Sequence, residues 1–460
     1  MKQYQIFFDF LRFCIGSESE IPSSLKEADW KKLYTIARKQ CLVGVLFDGI
    51  KKLPVEYVGM KKELLLQWMA ESQMLEKANV RLNDAAIQVS EWFRKKGFRT
   101  CILKGQGNAL LYPNGLHRTP GDIDIWVEGG DKRVISFVRS ISPHEKACYH
   151  HIEFPSYKGV EVEVHYRPSF QLCFWHNRKL QKYYERVKDE QFSHRVMLGE
   201  QGEISIPTAE FNLIFQLTHI FAHLMNEGIG LKQLLDYYFV LCDFYKVYQI
   251  SSKITPSLFT LKEGSTSHPD PLSSGAREET APPRRSEPLR SKDGGPSKVS
   301  PDCAGWDRRD VSGDTTSDSA GASATVTRSS SVANSSFAAS SSSSSSSFAA
   351  AIDRVQEELK ELGLWRFAGG IMYIMQEVFG MPASRLIVPQ NEKYGKFVLN
   401  EVLEAGNFGR HDARNRFGRS KLGHNLQRVY RDMRLVRYFP LEALSEPLFR
   451  VWHFFWRKSR

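Results

Sequence analysis

The residues with the most chemical potential lie between Leu103 and Val127, in LKGQGNALLYPNGLHRTPGDIDIWV. In a strand, side chains two apart share a face, so Asp122 and Asp124 project together while Ile123, Ile125 and Val127 face a core. Two such carboxylates repel each other unless one takes up a proton or a divalent cation sits between them. Two Mg²⁺ ions about 3.5–4 Å apart, with Mn²⁺ as a substitute, can activate an attacking oxygen and stabilise a leaving one during in-line phosphoryl displacement. The segment GVEVEVHYR places Glu161, Glu163 and His165 on one face of a second strand, and Glu163 is the candidate third ligand. Upstream, Ile102-Leu103-Lys104-Gly105 ends a strand where a helix through Asn108 to Tyr112 can begin. Free backbone N–H groups and the Lys104 charge would meet phosphate oxygens there.

Asp-x-Asp by itself also arises from solvent-facing acids on a half-buried strand. The LKG before it and Glu163-x-His165 after it favour the metal reading. Together these motifs resemble the DNA polymerase β-type nucleotidyltransferase superfamily. More closely, they are similar to its uncharacterised bacterial nucleotidyltransferase family, with LKG, a following Tyr, Arg-x-x-x-Asp-x-Asp, and carboxylate-x-His. Tyr112, Arg118, Asp122, Asp124, Glu163 and His165 occupy those positions. The resemblance implies that Asp122, Asp124 and Glu163 are catalytic and bind two metals, and that the turn at Lys104 and Gly105, with Arg118, holds the phosphates of a nucleoside triphosphate such as ATP. It departs from the superfamily in having Gln106 after Gly105, in placing Gly105 seventeen positions before Asp122, a longer gap than usual, and in having Glu where Asp is commoner.

Arg118 is balanced between binding a triphosphate and pairing with a strand carboxylate. His165 could contact metal or substrate, or orient a neighbouring carboxylate. His219 and His223 stand one helical turn apart; with no glutamate after His219 as in HExxH, satisfied core histidines are favoured over ligands. Asp236, in LLDYYF, lines a pocket or makes a buried hydrogen bond. These last four are pocket candidates.

The elements that must position these groups follow from periodicity. Residues 1–95 read as helices, with Trp30, Leu33, Ile36 and Ala37, then Leu64, Leu65, Trp68 and Met69, at helical spacing. From 96 to 207 short β-prone runs alternate with a helix over 131–140, giving strand, helix, strand, helix, strand between Arg99 and Tyr166. Residues 208–252 return to helical spacing, with Thr208 as N-cap and a break at Gly228 to Gly230. A Ser/Pro/Gly-rich stretch, 253–350, has too few apolar residues to offset chain entropy and is expected to be a disordered insertion, with helices resuming over 351–460. The fold class is α+β: a polymerase β-like nucleotidyltransferase core, a short mixed sheet with helices, flanked by N- and C-terminal helical regions.

The chain's 460 residues allow two or three domains, and 42% hydrophobic content excludes global disorder. Seven scattered cysteines without a CxxC pair argue for a reducing compartment. The absence of a signal peptide or an uninterrupted apolar span points to the cytoplasm, with no transmembrane segment. Net charge is +11, and from Arg410 to Arg437 nine basic residues face only Asp412 and Asp432. Such a patch suits nucleic acid or an anionic surface, and equally a solvated helix face. The expected activity is Mg²⁺-dependent transfer of an NMP from an NTP to an acceptor hydroxyl with release of pyrophosphate. The alternative is a catalytically silent nucleotide- or RNA-binding module of the same fold. The acceptor is not legible.

Overall fold

The alternation of apolar and acidic residues produces a four-stranded sheet: β1 (Thr100–Ile102), β2 (Ile123–Val127), β3 (His151–Tyr157) and β4 (Val160–His165), in the order β1-β2-β4-β3. β2 and β4 run parallel, and the other pairings are antiparallel. Ile123, Ile125 and Val127 of β2 and Val162 and Val164 of β4 are buried with Val134 and Val138 of the Gly130–Ile141 helix and Phe93 of the Lys62–Lys95 helix. On the opposite face Trp126 packs on Phe192 and Phe211, with ring centroids 4.6 and 6.0 Å away. That face also carries Asp124 and, across the parallel pairing, Glu163.

The computed structural model describes residues 2–200, 202–254, 344–414 and 421–460. Most of the expected disordered insertion, 253–350, lies outside them. Its boundaries need correction, because the Leu231–Ile254 helix continues past 253 and the Ser344–Glu361 helix starts inside the serine run. Phe348 packs on Tyr245 and Tyr248, with centroids 5.3 and 5.7 Å apart, so the helices on either side of the undescribed segment meet in one layer. This contact gives the early resumption of helix a physical reason, since helix at this end is stabilised by burying an apolar face.

The N-terminal helical reading holds in the Gln5–Ile15, Trp30–Lys39, Val43–Ile50 and Lys62–Lys95 helices. Four details differ from the expectation. β3 was not foreseen, nor was the small hairpin of Arg195–Met197 and Glu203–Ser205. The helix expected over 108–112 is a single turn, Gln106–Ala109. Thr208 occupies the N-cap of the Ala209–Asn226 helix without a side-chain capping bond, and its own backbone N–H donates to Gln191 Oε1 at 2.8 Å.

The loop between Tyr112 and Asp122 is fastened from several sides. Asn79, in the Lys62–Lys95 helix, donates to the Leu116 and Arg118 carbonyls at 2.7 Å each, and Thr119 Oγ1 donates to the Cys41 carbonyl at 2.7 Å. Gly44 lets the Val43–Ile50 helix approach the His117 backbone, where a β-carbon would overlap the carbonyl oxygen. Gly44→Ala is therefore expected to lower stability by about 1–3 kcal/mol, read as a shift in the urea midpoint at unchanged slope.

Candidate functional site

The parallel register sets Asp124 beside Glu163 and Trp126 beside His165. Asp122 precedes β2 by one residue and shares the Asp124 face. One carboxylate oxygen from each of Asp122, Asp124 and Glu163 lies within 4.8 Å of the others. The three expected ligands are therefore together. Glu161, on the same face of β4, is exposed and outside this cluster.

Lys104 extends from the end of β1 to place Nζ 2.9 Å from Asp124 Oδ1 and 3.0 Å from His219 Nε2. His165 Nε2 is 2.9 Å from the same Oδ1 and 3.4 Å from Glu163 Oε2. His165 thus orients carboxylates, one of its two sequence readings. Gly105 adopts a φ of +51°, a backbone conformation favouring glycine, as the chain turns from β1 into the Gln106–Ala109 turn. His219 and His223 approach each other at 2.9 Å, so the His219 ring belongs to the site through Lys104 rather than to an apolar core.

Arg118 pairs with a carboxylate, as in one of its two readings, although from a helix rather than a strand. Its Nε and Nη2 donate to Asp236 Oδ1 and Oδ2 at 2.8 and 2.7 Å, and Tyr112 donates to Oδ1 at 2.6 Å. All three groups are buried. Tyr112, Arg118 and Asp236 are one clamp between the loop and the Leu231–Ile254 helix. A guanidinium committed to both oxygens of one carboxylate has two fewer donor groups for phosphate. Buried Lys232 lies in the same region, and burial together with the Arg118 charge brings its pKa down to about 8.

The electrostatics follow from crowding. The charge of Asp124, reinforced by burial, pushes Asp122 up to about 7. Burial also opposes ionisation of Asp124, but Lys104 and His165 outweigh it and hold that carboxyl below its ordinary value. Burial works against the His165 imidazolium, yet its bonds to Asp124 and Glu163 raise it to about 9. Burial and the Lys104 charge push His219 well below an ordinary histidine, leaving it a neutral acceptor for Lys104.

Residues 26–247 match the model of a family described as uncharacterised nucleotidyltransferase. This region belongs to that family. No curated protein and no solved structure matches the chain. The nucleotidyltransferase region contains the whole sheet, the three-carboxylate cluster and the Tyr112–Arg118–Asp236 clamp. Among the described residues, no helix is long and apolar enough to cross a membrane.

The donor set fits a divalent cation: three oxygen ligands converge, and their mutual repulsion leaves Asp122 holding a proton that a cation would displace. Mg²⁺ affinity is accordingly expected to rise about tenfold per pH unit as Asp122 ionises, levelling off above about pH 7. Calorimetric titration from pH 5.5 to 8 checks this, and Asp122→Asn should flatten the dependence.

The basic stretch divides. Arg416 and Arg419 lie outside the described residues. Arg414 binds Glu401 and Asp412 at 2.7 Å each, and Arg434 lies 3.5 Å from Glu401. Part of the expected anionic-partner patch is therefore neutralised internally. Sequence reasoning also missed Cys148, His150 and His151, which follow no recognised ligand spacing but sit beside Glu163.

Proposed function

We propose that this nucleotidyltransferase moves an NMP from an NTP onto an acceptor hydroxyl, with Mg²⁺ as the metal. The observation carrying this reading is the convergence of Asp122, Asp124 and Glu163 within 4.8 Å, with Lys104 beside them. Asp122, Asp124 and Glu163 hold two cations. When bound, these supply Lewis acidity toward the acceptor hydroxyl and charge neutralisation for the leaving pyrophosphate. The acceptor oxygen bonds to the α-phosphorus as the bond to the bridging oxygen of the departing pyrophosphate breaks, and the hydroxyl proton passes to solvent.

Lys104, now 2.9 Å from Asp124, would be free to meet a phosphate oxygen if bound cations neutralised that carboxylate. The turn at Gly105 brings the backbone close to the same phosphates. His165 keeps Asp124 and Glu163 oriented, and Tyr112, Arg118 and Asp236 hold the approach loop, while His219 positions Lys104. Arg118 is thus read as a positioning residue.

The test incubates the full chain with each of the four NTPs, Mg²⁺ or Mn²⁺, and a small-metabolite extract as acceptor source. Pyrophosphate release matched by NMP-bearing product supports the reading. Tight metal-dependent NTP binding without product in any extract would instead favour the silent binding module.

A further inference from the structure

The turn entering β3 carries a second group of metal-ligating side chains that the proposed transfer reaction does not use. The Cys148 backbone N–H donates to the His151 carbonyl at 2.9 Å, and Ala147 bridges Ile152. Cys148, Tyr149, His150 and His151 therefore form a tight reversal, which brings side chains of neighbouring sequence positions into one cluster. Cys148 Sγ stands 3.6 Å from His150 Nδ1. One ligand atom each from Cys148, His150 and His151 lies within 4.8 Å of the other two.

We propose that Cys148, His150 and His151 bind a divalent transition-metal ion of the zinc class through three protein ligands. Metal–sulfur and metal–nitrogen bonds of about 2.3 and 2.0–2.1 Å in a tetrahedral site give a sulfur–nitrogen edge of about 3.6 Å. The Cys148–His150 separation already has that length. A thiolate and two imidazoles discriminate by softness in favour of zinc and against Mg²⁺, which prefers the neighbouring carboxylates. Binding ejects the Cys148 thiol proton to solvent and engages both histidines as neutral imidazoles, so the exchange is one metal ion in and protons out.

The surroundings hold the turn in place. Tyr149 is buried, with its ring 5.6 Å from Phe449 and 5.4 Å from Trp452, both in the Pro440–Lys458 helix. The backbone N–H groups of Tyr166 and Arg167 both donate to the His150 carbonyl, at 3.0 and 3.2 Å, and the Tyr166 hydroxyl donates to the Cys148 carbonyl. Ligand backbones fixed before metal arrives lose little freedom on binding. His151 Nδ1 is also 3.2 Å from Glu163 Oε2, which makes this centre the immediate neighbour of the carboxylate cluster.

Cobalt titration of the full-length, metal-stripped chain in excess Mg²⁺ tests the proposal independently of nucleotidyl transfer. The expected result is a thiolate-to-cobalt charge-transfer band saturating at one ion per chain, displaced by Zn²⁺, and present unchanged in Asp122→Asn. Cys148→Ser should abolish the band. His150→Gln should weaken zinc binding by more than the roughly 10–100-fold typical of losing a group outside the ligand set. Thermal melts establish that both variants fold; should Cys148→Ser not fold, the His150→Gln affinity decides. No thiolate band in the parent protein would overturn the assignment, leaving a hydrogen-bonded cluster. So would zinc binding that survives Cys148→Ser and His150→Gln but disappears in Asp122→Asn.

Discussion

Asp122→Asn is expected to reduce NMP transfer by about a thousandfold or more while making the metal-free protein more stable above pH 7. The two effects have opposite signs because they have one cause. Asp122 lies in the field of Asp124 and is half-buried, which pushes its carboxyl up to about 7. An aspartate whose folded pKa exceeds its unfolded value of about 3.9 binds more protons folded than unfolded between those pH values. Stability therefore falls as pH rises through that window, and the loss is complete above about pH 7. An asparagine removes this penalty, which is on the order of a few kcal/mol at most. In the proposed reaction the same change removes one negative charge from the ligand set of the cations that would stabilise the transferring phosphoryl group. Denaturant melts at pH 5 and 8, without metal, should show a larger advantage for the variant at the higher pH. A variant that loses activity and stability together would show instead that Asp122 is part of the scaffold.

Asp236→Asn is expected to cost about 3–5 kcal/mol, enough to unfold a marginal domain, because it leaves the buried Arg118 guanidinium without its bidentate carboxylate. It also removes the negative charge that most favours the Lys232 ammonium. Replacing all three members by apolar residues, Tyr112→Phe and Arg118→Met with Asp236→Leu, should recover most of that loss, since a well-packed apolar cluster substitutes for a buried ion pair at little net cost and no hydroxyl is left without its acceptor. Nucleotide transfer in the triple variant is the discriminating measurement. Retained transfer with a modestly raised KM identifies a clamp, whereas loss of kcat in a folded protein identifies Arg118 as a phosphate contact.

The carboxylate cluster was legible because its determinants are local: period two along β2 and β4 puts Asp122, Asp124 and Glu163 on one face, and parallel pairing does the rest. The clamp was not, since Arg118 and Asp236 meet only through helix packing across 118 positions of sequence. β3 was hidden by its composition. HIEFPSY alternates only over Ile152 and Phe154 before Pro155 interrupts it, and its mostly half-exposed pattern suits an edge strand. The cluster at Cys148 escaped notice because a tight turn, not a regular ligand interval, assembles it. The arginine-rich stretch looked uniformly available in sequence, and only the fold supplies Glu401 as a partner from a different helix.

The last helix carries a consequence for how this chain can be divided. Glu442 accepts from the Cys173 backbone at 2.8 Å and lies 3.1 Å from His176, and Phe449 stacks on Phe170. Arg460 reaches Asp131 at 2.9 Å, in the crossover helix behind β2. These contacts lie far beyond residue 247, where the family match stops. A fragment trimmed to the match would uncover Phe170 and strand His176 without its carboxylate. The inherited unit and the foldable unit therefore have different ends, and the tail must be kept in any shortened version meant to retain the architecture around β3.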